Sequence, residues 1–307
     1  MATYLARRIV WGLVVVAGVA TVVFVATHLL TDPARKALPL GASQGQYERL
    51  RHDLGLDRSL ITQFGEFARG VVQLDFGTSI SLQESAGRVV AHRLPKTLEL
   101  VGVALALALL VALPLGFLAA MRPGSWLDVT TVTSSLTGLS MPQFWLGALL
   151  ILVFAVHLKV LPTSGDQGLK SLVLPAVTLA LPIAGRLTQI ARSTVIDEMQ
   201  RQYVVAARAK GLSLPMILRR HVLRNSAVPI SYYLSLETAK AIAGSTVVVE
   251  SVFAYPGVGY LSVQAAKADD VVLIQATVVI IAVLIVFSNL LFDLLHGFLD
   301  PRIRVAQ

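Results

Sequence analysis

The chain has 307 residues, of which 55% are hydrophobic and only 14% charged, with a mean hydropathy of +0.71. Soluble domains usually carry about 25% charged residues, so this composition excludes an ordinary soluble enzyme and a disordered protein. A net charge of +8 would point to nucleic acid in a soluble chain. Here the apolar residues instead gather in blocks of about 20, long enough to cross a hydrocarbon layer of about 30 Å as helices, so the expected partner is the lipid bilayer and not nucleic acid. Cysteine is absent, which excludes disulfides, thiolate catalysis and Cys-ligated metal. The expected fold class is an all-α polytopic membrane protein.

Arg7-Arg8 precede an apolar run from Ile9 to Leu30. Its 22 residues exceed the apolar core of a secretory signal, about 7–15 residues, and no small-residue cleavage site follows. Residues 1–30 therefore read as a cytoplasmic N-terminus and a first membrane helix. Residues 31–96 hold nine Lys/Arg against seven Asp/Glu. Within them Leu60, Phe64, Phe67, Val71 and Leu74 recur at steps of four and three, the pattern of an amphipathic helix, and Gly55 and Gly77 punctuate the segment. A small extracytoplasmic subdomain is expected there.

Five further spans follow in a core of residues 97–295: Leu98 to Met121, Ser135 to Val156, Leu172 to Ala191, Ala227 to Val249 and Val271 to Leu295. Prolines at 114, 142, 175, 182 and 229 sit in or beside them, which neighbouring membrane helices tolerate. Six helices with the N-terminus inside place the tail, 296–307, inside as well. Basic residues gather on the cytoplasmic side of membrane helices. The loop 192–225 carries seven Lys/Arg against Asp197 and Glu198, and the tail adds Arg302 and Arg304, in agreement with that orientation.

Catalytic signatures are lacking. There is no G-x-x-x-x-G-K-[ST] phosphate loop, no H-E-x-x-H and no G-x-S-x-G, and the six histidines are scattered. His28, His157 and His296 stand near expected helix ends, as interfacial or capping residues do. No catalytic residue, metal site or cofactor is expected on this chain.

The inner loop is more informative. Its segment 204–221 reads as two short helices: Val204 to Lys210, with Gly211 as a left-handed cap, and a second one capped by Ser213 with Pro215 in its first turn. Met216, Ile217 and Leu218 form an expected apolar tip beside Arg219 and Arg220. Two readings stand: a basic loop lying on headgroups, or a docking knob for a cytoplasmic partner.

Ala206-Ala207-x-x-x-Gly211 resembles the coupling-loop signature of permease subunits of ABC importers. Its continuation, Ala-Arg-Ala-Lys-Gly-Leu-Ser to Leu-Arg-Arg-His-Val-Leu-Arg-Asn-Ser-Ala-Val-Pro, is similar to the dipeptide/oligopeptide branch of that family. Other strings agree in order and spacing: Asp32-Pro33-Ala34, Arg93-Leu94-Pro95-Lys96-Thr97-Leu98, Gly124-Ser125-Trp126-Leu127-Asp128, Leu139 to Gly147, Leu161-Pro162-Thr163-Ser164-Gly165, Val248 to Gly259 and Asp300-Pro301-Arg302. Departures are Val205 where the general signature has Glu, Arg224 where it has Pro, and Leu30-Thr31 in place of Pro-Gly. The first two suit the peptide branch.

The resemblance implies a type I importer half in a bacterial cell membrane. A second homologous permease, generally a different chain, would complete the pathway. Two cytoplasmic ATPase domains would bind ATP and Mg2+, and an extracytoplasmic peptide-binding protein would deliver the substrate. Ala206, Ala207, Gly211, Ser213, Pro215, Met216, Ile217 and Leu218 would couple to an ATPase, the second helix seating in its groove and moving as a rigid lever.

Glu237 and Lys240, three apart and on one face of the fifth span, would each cost about 2.5–3.5 kcal/mol at a helix centre, so both should face protein or water. They are a mutual structural pair or the lining of a cavity for a zwitterionic or polar substrate. Arg186 reads as snorkelling to the headgroups. Glu250, Phe253, Tyr255, Pro256 and Gly257 make an aromatic turn that by resemblance would belong to the outer gate. Gln143 and Phe144 follow the Pro142 kink and are candidates for cavity lining. Rival readings are a nickel, glutathione or haem importer of the same build, a polytopic membrane enzyme, and a self-sufficient channel.

Overall fold

The computed structural model describes residues 2–30, 38, 43–53 and 57–299. The strings Asp32-Pro33-Ala34 and Asp300-Pro301-Arg302, Gly55 and Arg304 lie outside them. Among the described residues the chain is helical, with no strand and one isolated bridge between Thr78 and Ser85.

The helices are α1 (Ala2–Leu30), α2 (Gln44–Asp53), α3 (Leu60–Gln73), α4 (Ala86–Met121), α5 (Trp126–Ser140), α6 (Gln143–Leu150), α7 (Leu169–Met199), α8 (Gln202–Ala209), α9 (Leu214–Ile217), α10 (Leu223–Lys240), α11 (Thr246–Val252), α12 (Val258–Lys267) and α13 (Val271–Leu299). A π-helical stretch, Ile151–His157, prolongs α6. Two more, Leu218–Val222 and Ala241–Ser245, join α9, α10 and α11 without a break.

Among the described residues four helices are long and apolar enough to cross a membrane: α1, α4, α7 and α13. A fifth crossing is available if α5 and prolonged α6 count together, but the two are bent by 101°. The expected single span from Ser135 to Val156 is therefore two helices. Met141 adopts an extended backbone, φ −81° and ψ 123°, because a residue before proline is pushed out of the helical region. α4 begins at Ala86, ahead of the expected Leu98, since Ala86, Val89, Val90 and Leu94 already present an apolar face that packs. The second helix of the expected 204–221 loop also does not end: it runs on from Leu214 to Val252 through the two π-helical turns.

The chain divides into two compact units. One gathers the described residues of Ala6–Thr97 with Pro256–Val286. There Phe64 and Phe67 of α3 meet Phe24 of α1, with ring centres 5.3 and 5.5 Å apart, and Val71 joins the same cluster. Leu60 and Leu74, the ends of the expected stripe, are exposed, Leu74 because it closes α3 in a left-handed conformation. A second cluster packs Val89 and Val90 against Val258, Leu261, Leu273 and Ala276.

Asp270 caps α13 in this unit. Its wholly buried carboxylate accepts from the Ser79 hydroxyl at 2.5 Å, from Ser81 N–H at 2.9 Å and hydroxyl at 2.7 Å, and from Leu273 N–H at 3.1 Å. Burial works to raise its pKa, but these donors outweigh burial and hold the carboxyl below the ordinary range.

The other unit gathers Leu98–Tyr255 with the described residues from Phe287. α5 lies close along α7: a Cβ on Gly185 would stand 2.7 Å from the Ser135 carbonyl oxygen, so only glycine admits this approach. Ser125 caps α5 by accepting Asp128 N–H at 3.3 Å.

Candidate coupling loop and pathway helix

The loop that follows α7 is built on its own small core. Val204 and Ala207 of α8, Ile217 of α9 and Val222 pack with Ala120 of α4 and Val195 of α7, and Phe117, Ile196, Met199, Leu212 and Leu218 close around them. Apolar residues at 204 and 207, and at 217 and 222, turn one face of each short helix inward. The loop is thus fastened to the ends of α4 and α7.

Between the helices the chain reverses through Gly211, at φ +76°. Its N–H donates to the Arg208 carbonyl at 2.9 Å, and Leu212 N–H donates to Ala207 at 3.2 Å, so the last carbonyls of α8 are satisfied as a left-handed cap requires. Ser213 then occupies the N-cap of α9 in extended conformation, without a side-chain capping bond, and Pro215 lies in the first turn.

The expected apolar tip needs correction. Ile217 is 1% exposed and Leu218 is half-buried, both in the loop core, because the helix continues and turns them inward. Met216, 47% exposed, remains outside with Leu214 and Val205. Ala206 and Pro215 are exposed and Ala207 is buried. The outer surface is therefore apolar at Val205, Ala206, Leu214, Pro215 and Met216, with exposed Arg208, Lys210, Arg219 and Arg220 beside it.

Polar ties stiffen the base of the loop. The Tyr203 hydroxyl donates to the Glu198 carboxylate and accepts from Asn225 Nδ2 at 2.9 Å. Burial, and then the bond to Glu198, push the phenol up from its usual pKa. Further along α7, Arg192 grips Asp128 with Nε on Oδ1 and Nη2 on Oδ2, the latter at 2.7 Å, while Gly124 N–H also donates to Oδ2 at 2.8 Å. The sequence carries no signal for a partner 64 residues away.

In α10, Lys240 Nζ lies 3.1 Å from Glu237 Oε1, so the expected pair forms. The two differ in access: the Lys240 side chain is 53% exposed and that of Glu237 14%. Arg186 is exposed on α7.

The turn after α11 is buried where a mouth lining was expected. Phe253 and Tyr255 are almost wholly covered, and Glu250 is inaccessible. Tyr255 N–H donates to the Glu250 carbonyl at 2.8 Å, and the Phe253 carbonyl accepts from Gly165 N–H at 3.0 Å. The Tyr255 hydroxyl donates to Glu99 at 3.3 Å; burial first, and then Glu99, raise its pKa strongly. Tyr255 and Phe253 thus anchor this turn. In the other unit, half-buried Pro256 leads to buried Gly257 at the N-cap of α12, and Val258 N–H donates to Thr97 Oγ1 at 2.8 Å. At the start of α6, Gln143 is half-buried and Phe144 exposed, whereas Leu146 and Gly147 face inward, Gly147 against Phe253.

Residues 112–305 match the family described as binding-protein-dependent transport system inner membrane component, and residues 1–101 match the N-terminal model of the same membrane components. The oligopeptide transport system permease protein AppB of Bacillus subtilis is 36% identical over 99% of this chain and 100% of its own. The glutathione transport system permease protein GsiC of Pectobacterium atrosepticum is 34% identical over 99% of both chains. Among solved structures, an inward-facing conformation of the MetNI methionine ABC transporter matches with a TM-score of 0.57 at 17% identity, over 69% of this chain and 96% of that one.

Proposed function

The chain belongs to the family of binding-protein-dependent transport system inner membrane components, and on that premise we propose that it is the membrane-spanning subunit of an ATP-driven importer of di- and oligopeptides. An extracytoplasmic binding protein delivers the peptide. A second, homologous permease, ordinarily a different chain, completes the pathway. Two cytoplasmic ATPase domains hold ATP and Mg2+ and hydrolyse it. The chain is a multi-pass protein of a bacterial inner membrane, with both termini and the 192–225 loop in the cytoplasm.

The observation that carries this reading is the two-sided loop of α8 and α9. Its outer surface offers Val205, Leu214 and Met216 to a partner, and its inner surface shares a core with α4 and α7. A partner that binds this surface more tightly in one state than in the other shifts the permease between states by that difference in affinity. Because α9 continues without a break through α10 to Val252, motion at the loop reaches Glu237 and Lys240 along one helix. Gly211 sets the angle between the two arms of the lever. The 36% identity to an oligopeptide permease over the whole chain supports the peptide as cargo.

Glutathione, itself a tripeptide, is the second reading, favoured by the comparable identity to a glutathione permease. Affinity purification from native membranes in mild detergent, followed by mass spectrometry, tests the assembly. Recovery of an ATPase, a second permease and a binding protein is expected, and the ligand on that binding protein decides between the cargoes. Recovery of the folded chain alone, reproducibly, would remove the importer reading.

A further inference from the structure

α10 is 18 residues long, yet it is not among the helices apolar enough to cross a bilayer. It carries Arg224, Glu237 and Lys240. A helix of this composition needs protein or water along its polar side, because intramembrane charges face a bundle interior or a wet cavity. Beyond the exposed first turn at Leu223, Arg224 and Asn225, the exposed positions of this helix and its continuation are Pro229, Tyr232, Leu236, Lys240, Ala243, Gly244 and Val248, and all but Ala243 fall on one line, separated by three residues and then by fours. In a 3.6-residue helix, repeated steps of four drift around the axis. The wider π-helical turn Ala241–Ser245 takes up that drift beyond Lys240, and such turns recur at functional sites.

Lys240 is the single charged side chain on this line. Its side chain is half exposed, and that of its counter-ion Glu237 is largely covered. A molecule moving along the line therefore meets the cation and not the carboxylate. Beside it Gly244 leaves a gap, with no atom within 4 Å of where a Cβ would stand, while Leu236 and Val248 offer exposed apolar surface. Such a surface accommodates a carboxylate attached to a body of variable side chains.

We infer that Lys240 is the contact for a carboxylate of the peptide in transit, releasing Glu237 to take it and recovering Glu237 when the peptide leaves. This rests on the peptide-importer reading. A transported ligand must bind well enough to enter and weakly enough to depart. An internal carboxylate 3.1 Å away meets that need, since one ion pair replaces another and the ammonium is never stranded.

The test uses the assembled transporter in proteoliposomes: this chain, its partner permease, the ATPase subunits and the binding protein. The probes are tri-alanine, tri-alanine amide and the amide of Ala-Asp-Ala. The binding protein is unaltered throughout, so its own preference cancels when a variant is compared with the unaltered chain. Lys240→Gln is expected to lower tri-alanine uptake at least tenfold and tri-alanine amide uptake less than twofold, with Lys240→Arg within about threefold of the unaltered chain for both. A parallel loss on the Asp-containing amide identifies any carboxylate as the ligand; a loss confined to tri-alanine identifies the C-terminus.

Glu237→Gln, which removes only the internal competitor, is expected to lower KM for tri-alanine several-fold and leave that of the amide unchanged. Equal changes for acid and amide, or no change for either, in both variants overturn the inference. So does loss of the partner permease on purification of Lys240→Gln, which would make Lys240 an assembly contact. Absence of peptide uptake by the unaltered transporter overturns the importer reading along with it.

Discussion

Arg192 and Asp128 form a two-pronged ion pair that fastens the first turn of α5 to α7, with Asp128 nearly buried and Arg192 partly so. Both carboxylate oxygens are engaged, and Gly124 N–H adds a third donor. Removing one partner of such a pair leaves an uncompensated charge, which typically costs about 3–5 kcal/mol, while replacing both by apolar residues is often near neutral. Asp128→Leu alone is therefore expected to lower the thermal midpoint of the purified chain clearly. Asp128→Leu combined with Arg192→Leu is expected to recover most of the loss. Equal losses in the single and double variants would remove the ion pair as the cause.

Neighbouring residues of α9 separate stability from docking. Ile217 is buried in the loop core and Met216 is exposed on the outer surface. Ile217→Ala is expected to cost about 2–4 kcal/mol through a cavity, seen as a lower unfolding midpoint. Met216→Ala is expected to leave that midpoint unchanged and to weaken ATPase binding by about tenfold, measured by retention of the ATPase on immobilised permease. A destabilised Met216→Ala with normal ATPase retention would reverse the assignment of the two faces.

The sequence made the helical class and most apolar blocks legible because lipid demands long uninterrupted runs, and such runs survive without any knowledge of neighbours. Gly211 was legible for a related reason, since a left-handed cap is a local need. What depends on partners far along the chain was not. The direction in which Ile217 points follows from the unbroken helix beyond it and from Val195 and Ala120. The Pro142 kink is legible as a local effect of proline, but not its size, a 101° break that divides the expected span into two helices. Phe253 and Tyr255 are assigned to an outer gate by family resemblance. Their burial is set by Glu99, Gly147 and Gly165, none of them nearby in the chain.

Asp270 gives the unit that holds it a defined acid sensitivity. Burial would raise its pKa, yet Ser79, Ser81 and the Leu273 N–H hold it below the ordinary carboxylate value. A carboxyl that ionises more readily when folded contributes its full stabilisation above the unfolded value, about pH 4. That contribution fades as pH falls through the lower folded value. Amide exchange of Ser81 and Leu273 is therefore expected to be slow and flat from pH 7 to about 5 after correction for intrinsic rates, and to lose protection below about 4. Asp270→Asn is expected to lose protection at neutral pH and to flatten the acid limb. An acid limb that persists in Asp270→Asn would assign it to another group.

Gly211 allows a graded test of the lever. Its φ of +76° is strained for any residue with a Cβ, but no atom lies within 4 Å of where one would stand, so substitution acts through the backbone alone. Asn tolerates the left-handed region, Ala pays roughly 1–2 kcal/mol there, and Pro cannot reach it. Proline also removes the N–H that donates to Arg208 at 2.9 Å. In proteoliposomes containing the assembled transporter, peptide uptake per ATP hydrolysed is expected to fall in the order Gly, Asn, Ala, Pro, the last by tenfold or more. ATP hydrolysis itself is expected to continue, because the proposed assembly places the ATPase site on another chain. Normal coupling in Gly211→Pro would mean that the angle between α8 and α9 transmits nothing, and the lever would have to be sought elsewhere on the permease.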